Sequence, residues 1–371
     1  MKSTLFFSLL LTCLSAHANP ESNPVVDSLK RKLSSTREDT HRVKVLNALS
    51  SAYRNTDPEQ GILYGTRGLE LARRLHWNAG IAKAHYYRGG NYLNAAKLPE
   101  ALDDCLQAVR VFELCKDYTY MSGAYSNIGG IYFYQGKTNQ ALTYFEKALD
   151  MERRMDPGST FEVAITGNMG IMYQELKDYP KALKYLHHAV GISDSAGRSD
   201  ELPNPYSILA EIHLQLKHYD STLSYVDKTM TLARQYHNEL VLASALRIRG
   251  QVLLEIVRSG SEQQFSFTSG QTSRELLQNA RLSLDSAVAM YQSLSGTNLL
   301  ALTYGSLSDL EEFRGNLREA LTFQKNLNKS VTPSILMKIR RKCCRHLCSM
   351  NTIKNKHLPK RYMHLNCTVK K

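Results

Sequence analysis

The feature that most constrains this chain is a small residue that keeps returning, followed by a ring three residues later and by a second small residue nine further on. It reads Gly89, Tyr92, Ala101, then Gly129, Tyr132, Ala141, then Gly170, Tyr173, Ala182, with a worn copy at Ala210, His213, Thr222. Gly250 and Leu253 open a further copy, Ser50 and Tyr53 lead an earlier one into DPEQGILYGTRGLELA, and Ser308 followed by Ala320 marks the last. Successive first markers stand 39, 40, 41, 40 and 40 residues apart, then 58 across an insertion. Self-similarity at such a period means a solenoid: one supersecondary unit cannot bury its apolar face alone, so units stack.

The clearest unit runs from Ser122 to Leu149 and holds two helical patterns broken by QGKTN. Tyr125, Ile128, Gly129 and Tyr132 recur at spacings of three and four, and Ala141, Leu142, Phe145 and Ala148 do the same. Those spacings define one face of a 3.6-residue helix, and so short a break makes the two helices antiparallel partners. Gly129 weakens its helix by about 1 kcal/mol relative to Ala, which a close approach of the two helices at Gly129, Ala141 and Ala148 offsets, the Tyr132 and Phe145 rings filling the space to either side. Pro99, Pro157, Pro180, Pro203 and Pro205 all fall at or near helix starts, and Asp57-Pro58 supplies an N-cap oxygen and a tolerated first position. Gly61, Gly65 and Gly68 make the following helix soft unless a neighbour presses on it.

The set Tyr125, Ile128, Gly129, Tyr132, Ala141, Phe145 and Ala148 resembles the tetratricopeptide repeat (TPR), as does Met169, Gly170, Tyr173, Ala182 and Ala189. The period is longer than the roughly 34 residues usual for that family; the extra length goes into the second helix and the link after it, as in KALDMERRMDPGST. The resemblance implies an all-α, right-handed superhelical solenoid of about seven antiparallel helix pairs over residues 40–330. Its first helices line a concave face that holds a peptide or protein partner, without cofactor or metal. Residues off the packing stripe of those helices are the expected contacts: Lys83, Tyr86, Asn94, Ser126, Phe133, Gln174, Glu211, Arg247 and Gln251. Some TPR modules grip a C-terminal carboxylate with Lys and Asn, but the corresponding places carry Ser126 with Gly130 and Gly167 with Ile171, so that clamp is missing. Asn127 and Asn168 match an Asn common in the motif, and helix-to-helix hydrogen bonding accounts for them.

Residues 1–18 read as a secretory signal peptide: Lys2, an apolar run from Leu5 to Leu14 far short of a membrane span, and Ala16-His17-Ala18 before the cut. Cys13 raises a lipoprotein reading, against which the large Leu10 and Thr12 argue. Periplasmic or secreted placement follows. Residues 19–39 form a polar lead-in with a capping helix. The sixth pair is interrupted at about 258–273 by a polar stretch with isolated Phe265 and Phe267, compatible with a binding loop and with an ordinary surface loop. The seventh pair reads as polar in its first helix, where SDLEEFRGNLREA departs from the ring-rich pattern.

From Val331 onward there are 11 Lys or Arg and no Asp or Glu, leaving 36 basic against 34 acidic residues in the rest. Nearly all of the +13 net charge therefore lies in the last 41 residues, and the solenoid itself gives no electrostatic reason to bind nucleic acid. Cys343, Cys348, His357 and His364 lack paired metal-ligand spacing. Three accounts of the tail stay open: an anionic-surface contact, a zinc site, and a segment that is unstructured or foreign to the repeats after a frame change.

Catalytic patterns are missing: no HExxH, no Gly-rich phosphate loop with its Lys, no GxSxG and no Cys-x-x-Cys. His187-His188 reads as surface polarity, His213 as a packing substitute for the ring of other copies, and Cys105 and Cys115, about 15 Å apart on one helix, as buried free thiols. The chain therefore reads as a non-enzymatic interaction scaffold. A narrower likeness, on KALKYL and ALTYFEKAL helices behind a signal peptide, is to exported sensory regions of Bacteroidetes-type TPR signalling proteins. It implies the alternative of a truncated extracytoplasmic sensor of a histidine kinase or transcriptional regulator lacking its output domain.

Overall fold

The computed structural model describes residues 24–330 except 117, 119, 266, 295 and 296. The expected signal peptide, residues 19–23 of the lead-in and the basic tail lie outside the described residues.

Seven antiparallel helix pairs follow a lead-in helix, α1 (Pro24–Ser35). The pairs are α2 (Thr40–Ala52) with α3 (Pro58–Arg74), α4 (Asn78–Asn94) with α5 (Leu98–Cys115), α6 (Met121–Tyr134) with α7 (Thr138–Met155), and α8 (Thr160–Glu175) with α9 (Tyr179–Ser195). They continue with α10 (Pro203–Gln215) and α11 (Tyr219–Gln235), α12 (Glu239–Ser259) and α13 (Ser273–Ser293), and α14 (Thr297–Phe313) and α15 (Leu317–Ser330). The described residues contain no strand. None of their helices is long and apolar enough to cross a membrane.

Local chemistry sets the ends of these helices. Asp57 accepts from the Gln60 amide ahead of Pro58, Ser159 from Glu162, Asp178 from Lys181, and Thr272 with Glu275 forms a reciprocal capping box. The turns inside successive pairs close on a residue of positive φ: Ala96 (58°), Gly136 (76°), Lys177 (61°), Lys217 (61°) and Gly315 (80°). One backbone conformation thus recurs while its residue type drifts away from glycine, which is why the turn is weakly marked in some copies.

Each first helix touches the first helix of the next pair, whereas second helices barely touch one another. The stack therefore curves toward the first-helix side. The neighbours α6 and α8 are the exception on this inner row, and here Phe133 of α6 is buried. Its fully buried ring packs with Ile165, Met169 and Met172 of α8 and with Phe145 of α7, filling the space between the two helices. Gly129 meets the Phe145 ring as its small size requires: a Cβ there would stand 2.6 Å from the ring and 3.2 Å from the Ala141 carbonyl. The soft α3 is pressed from outside, with the Asn91 amide seated against Gly61.

The first helix of the last pair is better buried than its sequence suggests. Leu299, Ala301, Tyr304, Leu307 and Leu310 of α14 face the core, and Glu311 is buried because Arg281 (2.7 Å), Arg314 (3.0 Å) and Asn316 surround its carboxylate. The polar residues in SDLEEF are thus divided: Asp309 and Glu312 are exposed, Ser308 is buried and donates to the Ala320 carbonyl at 3.0 Å, and Glu311 enters one internal ion network.

Candidate binding face

The inner face is built from two polar struts with small residues between them. The first begins at Arg54, just past α2. Its guanidinium crosses Gly90 of α4, where a Cβ would come within 3.0 Å of Cζ, and Nη2 donates to Oδ1 of Asn127 on α6 at 2.9 Å. Asn94 donates back to the Arg54 carbonyl at 2.8 Å, so three successive units are tied along one line. Tyr86 lies in the same seam, its hydroxyl against Gly123. Burial pushes the Tyr86 phenol above its ordinary value, while the nearby Arg54 charge pulls the other way. Tyr86 and Tyr87 flank Tyr120 at centroid distances of 5.6 and 6.1 Å, and Lys83 Nζ sits 4.5 Å above the Tyr120 ring.

The second strut joins α10, α12 and α14. Arg247 donates to Glu211 at 2.7 Å and to Gln251 at 2.8 Å, and Gln251 donates to Ser306 at 2.8 Å. Arg247 is only 5 % exposed; burial opposes its charge, but Glu211 and Tyr291 hold the guanidinium above its ordinary value. A charge so buried and paired braces the structure and is not free for a ligand.

Between the struts the floor is made of small residues. Ser126 lies on α6, and a Cβ added at Gly167 of α8 would meet nothing within 4 Å. Gln174, at the end of α8, is 5 % exposed and its Nε2 has no partner. The nine expected contacts therefore part company. Lys83, Asn94, Ser126, Glu211 and Gln251 stay partly accessible on first helices, and Tyr86 is wedged between units. Gln174 and Arg247 are buried polar groups, and Phe133 is core and offers no contact to a groove.

Arg54 was not among those residues, nor were Tyr87 and Tyr120. A signal for Arg54 existed: the doublet Gly89-Gly90 spends its first glycine on α5, against Cys105, and leaves the second for something else to cross. Asn127 accepts the Arg54 hydrogen bond, consistent with a helix-to-helix role.

The remaining reactive groups are structural. Burial raises the Cys105 thiol to about 12, far from a nucleophile at neutral pH, and Cys115 is half-buried rather than buried. His213 stacks on Tyr225 at 5.4 Å with 15° between planes, in the place Tyr132 and Tyr173 take against Tyr144 and Tyr185. His187 is exposed, whereas His188 reaches Glu162 at 3.1 Å beside Arg153. Among the described residues no three His, Cys, Asp or Glu side chains are grouped to hold a metal ion.

Paired helices, a continuous inner row and the recurring small-residue seam define a TPR-like helical solenoid. The sequence profile described as tetratricopeptide repeat matches residues 80–154. Among curated proteins, outer dynein arm-docking complex subunit 4 of Xenopus laevis is 26 % identical over 179 residues, covering 48 % of this chain and 32 % of that protein. Protein kinesin light chain-related 2 of Arabidopsis thaliana is 30 % identical over 132 residues, covering 34 % of this chain and 19 % of its own length. The chain thus spans a third or less of these relatives. Among solved structures, the apo quorum sensor NprR of B. thuringiensis superposes with a TM-score of 0.64 at 14 % identity, over 83 % of this chain and 81 % of that one. Aspartyl phosphate phosphatase F of Bacillus subtilis gives 0.62 at 13 % identity, over 84 % and 76 %. At such identities the likeness is one of fold.

Proposed function

We propose that this chain is a protein-interaction scaffold that holds an extended peptide segment of a partner along its inner face, across Ser126 and Gly167. The observation that carries this reading is the open space above Gly167, in a helix row otherwise braced on both sides by buried polar struts. Such bracing pre-organises a surface, so less ordering opposes binding. The test is selection of a phage-displayed peptide library on the wild-type chain, followed by measurement of the selected peptides against Gly167→Phe. That ring projects into open space, so the variant keeps its melting temperature and loses the selected peptides by about tenfold or more. Equal binding by a folded Gly167→Phe would sink the reading.

Export is part of the same proposal, supported by Lys2, the Leu5–Leu14 run and Ala16-His17-Ala18; amino-terminal sequencing of the mature protein tests it, and an intact Met1 refutes it. The abrupt charge change after Ser330 favours, as a second reading, a sensory region separated from its output domain. Translating the locus in all frames past codon 330 tests it, and absence of any continuing coiled coil and apolar span removes it.

A further inference from the structure

The insertion between α12 and α13 folds back on α11. Phe265 meets the Tyr219 ring edge-on at 5.7 Å. The buried Thr268 hydroxyl donates to the Glu262 carbonyl at 2.6 Å, and Ser273 donates to the Glu262 carboxylate at 2.7 Å, fastening the loop to the start of α13. This leaves Phe267, 44 % exposed, facing α11 across a cleft of about 470 Å³ lined by Asp220, Ser221, Ser224, Tyr225, Lys228 and Phe267.

The cleft carries two opposite charges that are not held in ion pairs. Lys228 Nζ lies 5.5 Å from the Tyr206 ring centre and 5.4 Å from that of Tyr225, and neither Lys228 nor Asp220 forms an ion pair among the described residues. The two stand eight positions apart on α11, about 12 Å along the axis at 1.5 Å per residue. Between them Tyr225 is fixed by stacking on His213 and by Tyr206, 5.7 Å away. An extended chain rises about 3.3 Å per residue and turns residues i, i+2 and i+4 to one side, so it spans about 13 Å over that interval.

We propose that this cleft docks an extended segment of a partner protein carrying an aromatic residue flanked, two positions away on either side, by one basic and one acidic residue. The basic side chain meets Asp220, the ring enters between Phe267 and Tyr225, and the carboxylate meets Lys228. The site uses the second helix of the fifth pair and the insertion, and does not depend on occupancy of the inner face.

Fluorescence polarisation with the full chain tests this, using fluorescein-labelled Gly-Lys-Ser-Trp-Ser-Asp-Gly and the like-charged Gly-Asp-Ser-Trp-Ser-Asp-Gly. The first peptide saturates the wild type and binds about tenfold more tightly than the second. Phe267→Ala, at an exposed position, keeps the melting temperature and lowers affinity by about tenfold. The variant Asp220→Lys reverses the preference in favour of the second peptide, and Gly167→Phe leaves binding unchanged. Equal binding of both peptides, no saturable binding, an unaffected Phe267→Ala, or loss of binding in Gly167→Phe would each overturn the proposal.

Discussion

Gly129 and Gly167 lie in the interior of first helices in adjacent units, and replacing each by alanine should move stability in opposite directions. In both helices the exchange removes the conformational penalty of glycine, a gain of about 1 kcal/mol. At Gly167 the new methyl enters open space, so the gain is kept. At Gly129 the methyl would stand 2.6 Å from the Phe145 ring and 3.2 Å from the Ala141 carbonyl, and Phe145 is only 1 % exposed, with no room to withdraw. Helices α6 and α7 must separate, an overpacking cost of about 1–3 kcal/mol. The net effect at Gly129 runs from neutral to a loss of about 2 kcal/mol, so the two variants differ by about 1–3 kcal/mol. Urea unfolding followed by circular dichroism measures the difference, and native-state hydrogen exchange over α6 to α9 localises it, since repeat arrays open unit by unit. A Gly129→Ala protein as stabilised as Gly167→Ala would refute the packing argument.

Two further outcomes follow from buried side chains. Phe133→Ala should cost about 3–5 kcal/mol because it empties the space between α6 and α8, and urea titration giving less than about 1 kcal/mol would mean that the ring lies open to the groove. Burial alone would raise the Glu311 carboxyl, but Asn316, Arg281 and Arg314 together hold it below its ordinary value. Its ionised form therefore stabilises the last pair at pH above about 4.3, and this is lost as pH falls through the folded value. Accordingly the stability gap between wild type and Glu311→Gln should shrink from pH 7 toward pH 3 in urea titrations; a constant gap would show that the ionised form is not what matters.

The inner face was only half legible in the sequence. Residues at the register of Phe133 are Leu93 and Gln174 in the flanking copies, all three buried, and that register separates core from groove more reliably than distance from the apolar stripe. Arg54 acts 73 residues away from Asn127, a separation no local pattern spans. The acidic run of α14 looked solvated because sequence does not show that Arg281, on the preceding helix, arrives beside Glu311.

Within the chain, the period, the helix pairing and a close helix approach at Gly129 were determined by sequence alone, because they depend on small and apolar residues at regular spacings and on steric rules that hold in any surroundings; that the Phe145 ring is what meets Gly129 was decided by packing. Which side chains are sealed between units, which charges are spent on struts and where the insertion comes to rest were decided by tertiary structure. Those outcomes depend on contacts between units some 40 residues apart, such as the burial of Phe133 of α6 in one cluster with Ile165 and Met169 of α8.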